Sequence, residues 1–335
     1  MHEKGAIQKA QKQPHMRRRE FNQALLATGF ALLHGRAQAA KPGWKLVQEL
    51  RHSSDINVEQ IDLAADGKTV ASWASDGSLQ LWSLAQNKKL WGRSEKTWLL
   101  GTNRTHMVCV DNGQARRVAL ATGAEDVIPA DIDPVAISAN GEWWAGLRER
   151  TTIFLWNSKT MKLVPLSAPP VVAYRPEPRY YAFSEDGKWF AACQGVRVIL
   201  WDISKPDDPI TLKDQPGEIT NVRLTRDATF VLAGSLGGTL DVYCRVNPKA
   251  SQRASYGGDL RGLWLDGVNN RAMVGCSDNG LTLGIQQLPN WRKPSAYPSE
   301  PVKLPVQGET WSCCLREKMA ASGHLQGLIK IWKWA

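Results

Sequence analysis

From about residue 45 to the end, short apolar-rich runs follow one another, each bounded by Gly, Asn, Asp or Pro. Runs of this length, rich in Val, Ile, Leu, Phe and Trp and flanked by turn formers, predict strands rather than helices. Asp66-Gly67, Asn140-Gly141 and Asp186-Gly187 mark tight turns, because these residues tolerate positive φ. The runs are close to continuously apolar instead of cleanly alternating. That pattern suits sheets covered on both faces.

Seven runs end alike: LQLW (Leu79 to Trp82), RRVA (Arg116 to Ala119), IFLW (Ile153 to Trp156), VILW (Val198 to Trp201), LDVY (Leu240 to Tyr243), LTLGI (Leu281 to Ile285) and LIKIW (Leu328 to Trp332). The steps from Trp82 through Ala119, Trp156, Trp201, Tyr243 and Ile285 to Trp332 are 37, 37, 45, 42, 42 and 47 residues. A period near 40 closing on Trp is the signature of a four-stranded propeller blade. A single blade cannot bury its faces, so blades stack radially and large side chains fill the space between neighbours. Most of the 15 Trp residues, among them Trp82, Trp156, Trp201 and Trp332, therefore read as inter-blade packing. The fold expected for residues 40–335 is all-β, a seven-bladed β-propeller. The last unit has three strands, while Lys45 to Leu50 is an alternating strand without a unit. Pairing the two closes the ring and leaves no unpaired terminal edge.

The repeat resembles the WD40 family. His52, the run Asp66-Gly67-Lys68-Thr69-Val70-Ala71-Ser72 and the run Ser75-Asp76-Gly77-Ser78-Leu79-Gln80-Leu81-Trp82 match its consensus in type and spacing. The fourth unit repeats the theme and closes on Trp201-Asp202; the third closes on Trp156-Asn157. The second, fifth and sixth are degenerate, with Ala119, Tyr243 and Ile285 in the Trp position. The resemblance implies a structural hydrogen-bond network of His52, Ser72, Asp76 and Trp82. It also implies a scaffold that binds other proteins.

Residues 1–39 read as an address, not a domain. Arg17-Arg18-Arg19-Glu20-Phe21 is a charged front, Ala24 to Leu33 an apolar run, and Ala37-Gln38-Ala39 a small-x-small cleavage site. Arg18, Arg19 and Phe21 resemble a bacterial twin-arginine (Tat) signal; an ordinary Sec signal and an uncleaved cytoplasmic arm are the alternatives. The apolar run is too short to span a bilayer, and no Cys precedes Cys109. The expected product is thus periplasmic, processed to begin at Ala40, with no stable membrane anchor. Residues 1–39 carry seven Lys or Arg against two acids, so half of the chain's net +10 belongs to them. The remaining charge is dispersed, which excludes the clustered cations that nucleic acid requires.

Candidate chemistry is thin. His52, Ser72 and Asp76 have the residue types of a hydrolase triad, but Ser72 is expected inside a blade, where a nucleophile has no access. His52, His106 and His324 are scattered and make a poor zinc site. Of the six cysteines, Cys109, Cys193 and Cys276 fall near the ends of second strands, where a buried thiol packs like a small hydrophobe. Cys313 and Cys314 are consecutive strand residues and so face opposite ways. No Cys-x-x-Cys, phosphate loop or nucleophile elbow is present. The expectation is no catalytic residue, no cofactor and no metal. A propeller enzyme or redox subunit with a cofactor on the axis is the alternative.

A propeller without an active site binds through its loops. The expected docking residues, for a protein partner the sequence does not identify, are Trp73, Arg148, Arg150 and Arg197. Tyr174 and Arg179 join them from the Pro-rich stretch Ala168 to Tyr180. Arg and aromatic residues dominate binding hot spots.

Overall fold

The computed structural model describes residues 44–334, leaving aside 54, 65–66, 95–96, 103–105, 129–132, 149–151, 168–179, 257, 267–270, 278–281, 288–301, 304–309 and 317. Arg18, Arg19, Phe21, Ala37, Ala39, Arg150, Tyr174 and Arg179 lie outside the described residues. Two units partition the chain, Met1–Pro42 and Gly43–Ala335; the second holds every strand considered below.

Those strands form seven four-stranded antiparallel sheets among the described residues. Sheet one is Val58–Leu63, Thr69–Ala74, Leu79–Ser83 and Lys88–Arg93; sheet two is Thr97–Thr102, His106–Asp111, Gln114–Ala119 and Glu125–Ile128. Sheet three is Asp133–Ile137, Trp143–Arg148, Thr152–Asn157 and Lys162–Pro165; sheet four is Tyr181–Phe183, Trp189–Gln194, Arg197–Asp202 and Ile210–Thr211. Sheet five is Ile219–Leu224, Phe230–Ser235, Thr239–Cys244 and Gln252–Ser255; sheet six is Asp259–Asp266, Arg271–Ser277, Thr282–Gln287 and Val302–Lys303. Sheet seven takes Thr310–Arg316, Met319–His324 and Leu328–Trp334, and its fourth strand is Trp44–Arg51. The architecture is a β-propeller, in which the first strand of each sheet is innermost.

The closing residues read from the sequence all stand in third strands, and the strand alternation divides each sheet's side chains between two seams. Trp201 and Phe190 enter the seam between sheets three and four, while their neighbours Leu200 and Ala191 enter the seam between four and five. Trp201 is fully buried. The Asp-Gly and Asn-Gly turns hold Gly67, Gly141 and Gly187 at φ of 63°, 72° and 69°. Sheet five forms the same turn with Ala228 at φ 51°. In sheets three, four and five a Ser or Thr two residues before the turn Asp or Asn ties the turn down. Ser138, Ser184 and Thr225 each accept the amide of the aromatic residue that starts the second strand.

Trp44–Arg51 pairs with the third strand of sheet seven from Trp44↔Trp334 to Arg51↔Leu328, with a bulge at Val47. An extra residue reverses the facing of everything beyond it. Trp44 is therefore buried in the seam toward sheet six, edge-on to Trp334 at 5.5 Å, whereas Leu50 is buried in the seam toward sheet one. Val47 itself is exposed.

Sheet five shows what replaces a missing Trp. Tyr243 reaches Lys213 O and Asp241 Oδ2 with its hydroxyl, and Asp241, nearly fully buried, accepts two hydrogen bonds from Arg253 at 2.6 and 2.7 Å. A bidentate guanidinium satisfies the carboxylate that burial would otherwise penalise.

Candidate functional site

The Ser, His and Asp of sheet one form a packing network, with a member the sequence reading lacked. Trp82 Nε1 donates to Ser72 Oγ at 3.0 Å, and Ser72 Oγ lies 2.8 Å from His52 Nδ1. His52 Nε2 lies 2.8 Å from Ser78 Oγ, which donates to Asp76 Oδ1 at 2.6 Å. Ser78 thus stands between His52 and Asp76. Ser72 has no exposed surface, and its oxygen already accepts the indole proton. That geometry serves packing, not nucleophilic attack.

Sheet seven builds a second such network around His324. His324 ends the second strand, is buried, and sits 2.8 Å from Ser322 Oγ through Nε2. Trp332 Nε1 donates to Ser322 at 3.2 Å, and Thr310 Oγ1 lies 3.3 Å from His324 Nδ1. The Trp–Ser pair keeps the same ten-residue separation in both sheets. The His arrives from different places in the repeat.

Five cysteines, Cys109, Cys193, Cys244, Cys313 and Cys314, are free and buried. Burial pushes the Cys109 thiol up to about 12. Cys313 and Cys314 face different seams, the first toward sheet six and the second toward sheet one. The side chain of Cys276 lies outside the described residues. Among the described residues, no three His, Cys, Asp or Glu side chains gather as a metal-binding group.

The docking residues are only partly where the sequence placed them. Trp73 is not in a turn: it belongs to the second strand of sheet one, opposite Leu79, and packs half-buried against the seam with sheet two. Arg148 ends the second strand of sheet three with its guanidinium 4.8 Å from the centre of the Phe154 ring. Arg197 starts the third strand of sheet four and makes two hydrogen bonds to Asp214, at 2.9 and 3.1 Å. Arg148 and Arg197 occupy the same hairpin, second to third strand, of neighbouring sheets.

A polar cleft on the inner strands escaped the sequence reading altogether. Its walls come from the first strands of sheets one, five, six and seven, and include Glu59, Gln60, Asn221, Arg223, Arg261 and Ser312. In each of these four strands the register slips near its start, after the first pair in sheets one, five and seven and after the second in sheet six, so that one residue is bulged: Glu59, Thr220, Arg261 and Trp311. A bulge re-aims the side chain it carries. Hydrogen bonds stitch the walls together. Thr220 Oγ1 donates to Leu260 O at 2.6 Å, Asn221 Nδ2 to Arg261 O at 3.2 Å, and Ser312 Oγ to Val58 O at 2.8 Å. Sheets six and seven approach closely because position 262 is Gly. A Cβ there would stand 3.0 Å from Cys313 Sγ and 3.2 Å from its amide.

Arginines and tryptophans alternate along this wall. Arg261 lies 5.1 Å from the Trp311 ring, and Arg223 and Arg316 lie 5.6 and 5.4 Å from the Trp264 ring. Asp62, almost fully buried, accepts the Thr102 amide at 2.5 Å. Burial raises its carboxyl above the usual range, against the pull of Arg316, the Thr102 bond and Arg223. Alignment of the repeats at Val58-Glu59-Gln60, Ile219-Thr220-Asn221, Leu260-Arg261-Gly262 and Thr310-Trp311-Ser312 would have exposed the shared position.

Among solved structures, the β-propeller domain of Cps50 (Swd1) from Myceliophteria thermophila is similar to this chain, with a TM-score of 0.63 and 15% identity over 87% of this chain and 100% of that one. No family model matches the sequence, and no curated protein matches it. The fold is thus a β-propeller, and the likeness speaks to the fold alone.

Proposed function

We propose that this chain is an exported, periplasmic propeller of seven blades, closed by Trp44–Arg51, that serves as a non-catalytic docking platform for another protein. The ring reading is supported by the seam in which Leu50, Ile329 and Ile331 of sheet seven bury against Val58, Ile61 and Val70 of sheet one. The export reading rests on Arg18, Arg19 and Phe21 with the cleavage site Ala37-Gln38-Ala39.

The observation that carries the platform reading is Arg197. It stands at a hairpin end with 46% of its side chain exposed, and Asp214 holds its guanidinium in place. An arginine fixed before binding loses less entropy on docking than a free one, and desolvated arginines supply much of the energy of protein interfaces. Arg148 of the neighbouring sheet, braced on Phe154, extends the same surface; Arg150, Tyr174 and Arg179, outside the described residues, remain partner contacts proposed from the sequence pattern alone.

The test has two arms. A partner captured from the native periplasmic fraction is titrated against the parent and against Arg148→Ala and Arg197→Ala; each substitution is expected to cost about 1–2 kcal/mol, roughly five- to thirtyfold. Undiminished affinity in both variants places the docking surface elsewhere. Separately, changing Arg18 and Arg19 to Lys is expected to hold the precursor in the cytoplasm, and continued periplasmic processing would reject the twin-arginine route.

A further inference from the structure

We infer that the cleft between the first strands of sheets one, five, six and seven recognises a carboxylate group. The proposal shares no residue with the hairpin surface of Arg148 and Arg197 and does not depend on it.

The first ground is charge. Two guanidiniums, Arg223 and Arg261, line the cleft against a single carboxylate, Glu59. Arg316 shares the Trp264 ring with Arg223, and its Nε donates to Leu63 O at 2.8 Å. Asp259 meets Arg261 only through one terminal nitrogen, at 3.3 Å, and both side chains are a third exposed. That contact leaves Arg261 Nε without a partner.

The second ground is unsatisfied donors. Arg261 Nε, on a residue that lines the cleft, is buried without a hydrogen-bond partner; Trp264 Nε1 and Trp311 Nε1, on the same two first strands but outside the cleft's lining, are unpaired behind it. A buried N–H left unpaired keeps its full desolvation penalty, and native structures tolerate few. Donors without acceptors call for an acceptor-only ligand, and an ionised carboxylate is one.

The third ground is preorganisation. A guanidinium stacked on an indole keeps its N–H edge for an acceptor in its own plane, and Arg261 is held in that way over Trp311. The bulge that aims Arg261 recurs at Glu59 and Trp311, so the wall is shaped by the backbone and not by side-chain chance. Glu59 is then the cleft's own competitor for the arginines.

The carboxylate could belong to a free small molecule or to an acidic side chain of a protein, and titration calorimetry on the purified full chain separates the two. Probes are a capped peptide, acetyl-Gly-Glu-Glu-Gly-amide, its Gln counterpart, and glutarate. The Glu peptide is expected to bind at least about tenfold more tightly than the Gln peptide, with Arg223→Gln and Arg261→Gln each weakening it by about tenfold. Glu59→Gln is expected to tighten binding severalfold by removing the internal competitor. Arg117→Gln, at an exposed pair with Asp126 on sheet two, should change nothing. Glutarate matching the peptide identifies a free carboxylate as the ligand; glutarate failing where the peptide binds identifies a protein segment. Equal binding of the Glu and Gln peptides, or no binding of any probe, overturns the proposal. Should the arginine variants not fold, Glu59→Gln decides alone: unchanged affinity overturns it.

Discussion

Acid should loosen sheet one through His52, and replacing that residue should remove the effect. The hydrogen bonds around the ring run one way. Trp82 can only donate, so Ser72 accepts from it and gives its own proton to His52 Nδ1. Asp76 can only accept, so Ser78 donates to it and must accept from His52 Nε2. The network therefore fixes a neutral imidazole with its proton on Nε2. A second proton on Nδ1 would face a hydroxyl that has nowhere else to send its hydrogen. Burial lowers the His52 pKa from 6.5 to about 4, against the pull of Asp76 and with a smaller push from Lys89.

Because the folded value lies below the unfolded one, the unfolded chain takes up the proton first as pH falls. The contribution is fully present above about pH 6.5 and drains away toward pH 4. At about 1.36 kcal/mol per pKa unit the whole loss is about 3 kcal/mol, of which about 2 falls between pH 7 and pH 5. Urea denaturation at those two pH values, on the parent and on His52→Gln, reads it directly. At pH 7 the variant should be less stable by about 1–2 kcal/mol, the cost of disturbing a buried network. Its further loss on going to pH 5 should be smaller than the parent's by about 2 kcal/mol. Asp62 works in the opposite sense, since its raised pKa favours the folded state at lower pH. The lowered pKa of His106 works in the same sense as His52. Both residues are present in parent and variant and cancel in the difference. Equal losses in the two proteins would refute the assignment of the neutral, Nε2-protonated ring.

Other expectations follow from burial and pairing. Trp201→Ala should destabilise by about 3–5 kcal/mol, because it empties a seam position with no exposed surface; a denaturant midpoint within error of the parent would contradict the seam packing. Deleting Trp44 to Arg51 removes the fourth strand of sheet seven together with the buried Trp44 and Leu50, and the melting temperature should fall well beyond the degree or two of an ordinary surface deletion. Gly262→Ala should cost about 1–3 kcal/mol by overpacking against Cys313, read by the same denaturation. Thiol reagents should reach Cys109, Cys193, Cys244, Cys313 and Cys314 slowly in native protein and fully in denaturant; complete native labelling would show that the seams open.

What the sequence disclosed and what it hid divide along a physical line. Strand ends, turns and seam residues are local features: Asp186-Gly187 makes its turn, and Trp201 its seam, from chemistry within one repeat. Ser78 was missed because a turn residue two places from Asp76 looks like ordinary turn composition, and only the distance to His52 shows it relaying between them. Trp73 was misplaced because the second strand extends one residue past it, to Ala74, and a strand's final residues resemble a loop's first. The cleft lay furthest from view. Each inner strand supplies only one or two of its side chains, and Glu59 and Trp311 are 252 residues apart in a chain that brings them to the same level of the axis. What aims them is a bulge, a backbone feature with no residue type of its own. A periodic chain announces the positions its repeats share. The positions at which those repeats differ, with Glu59, Thr220, Arg261 and Trp311 standing at one bulge, are the ones free to be specialised for a ligand, and they stand out once the repeats are laid over one another at that bulge.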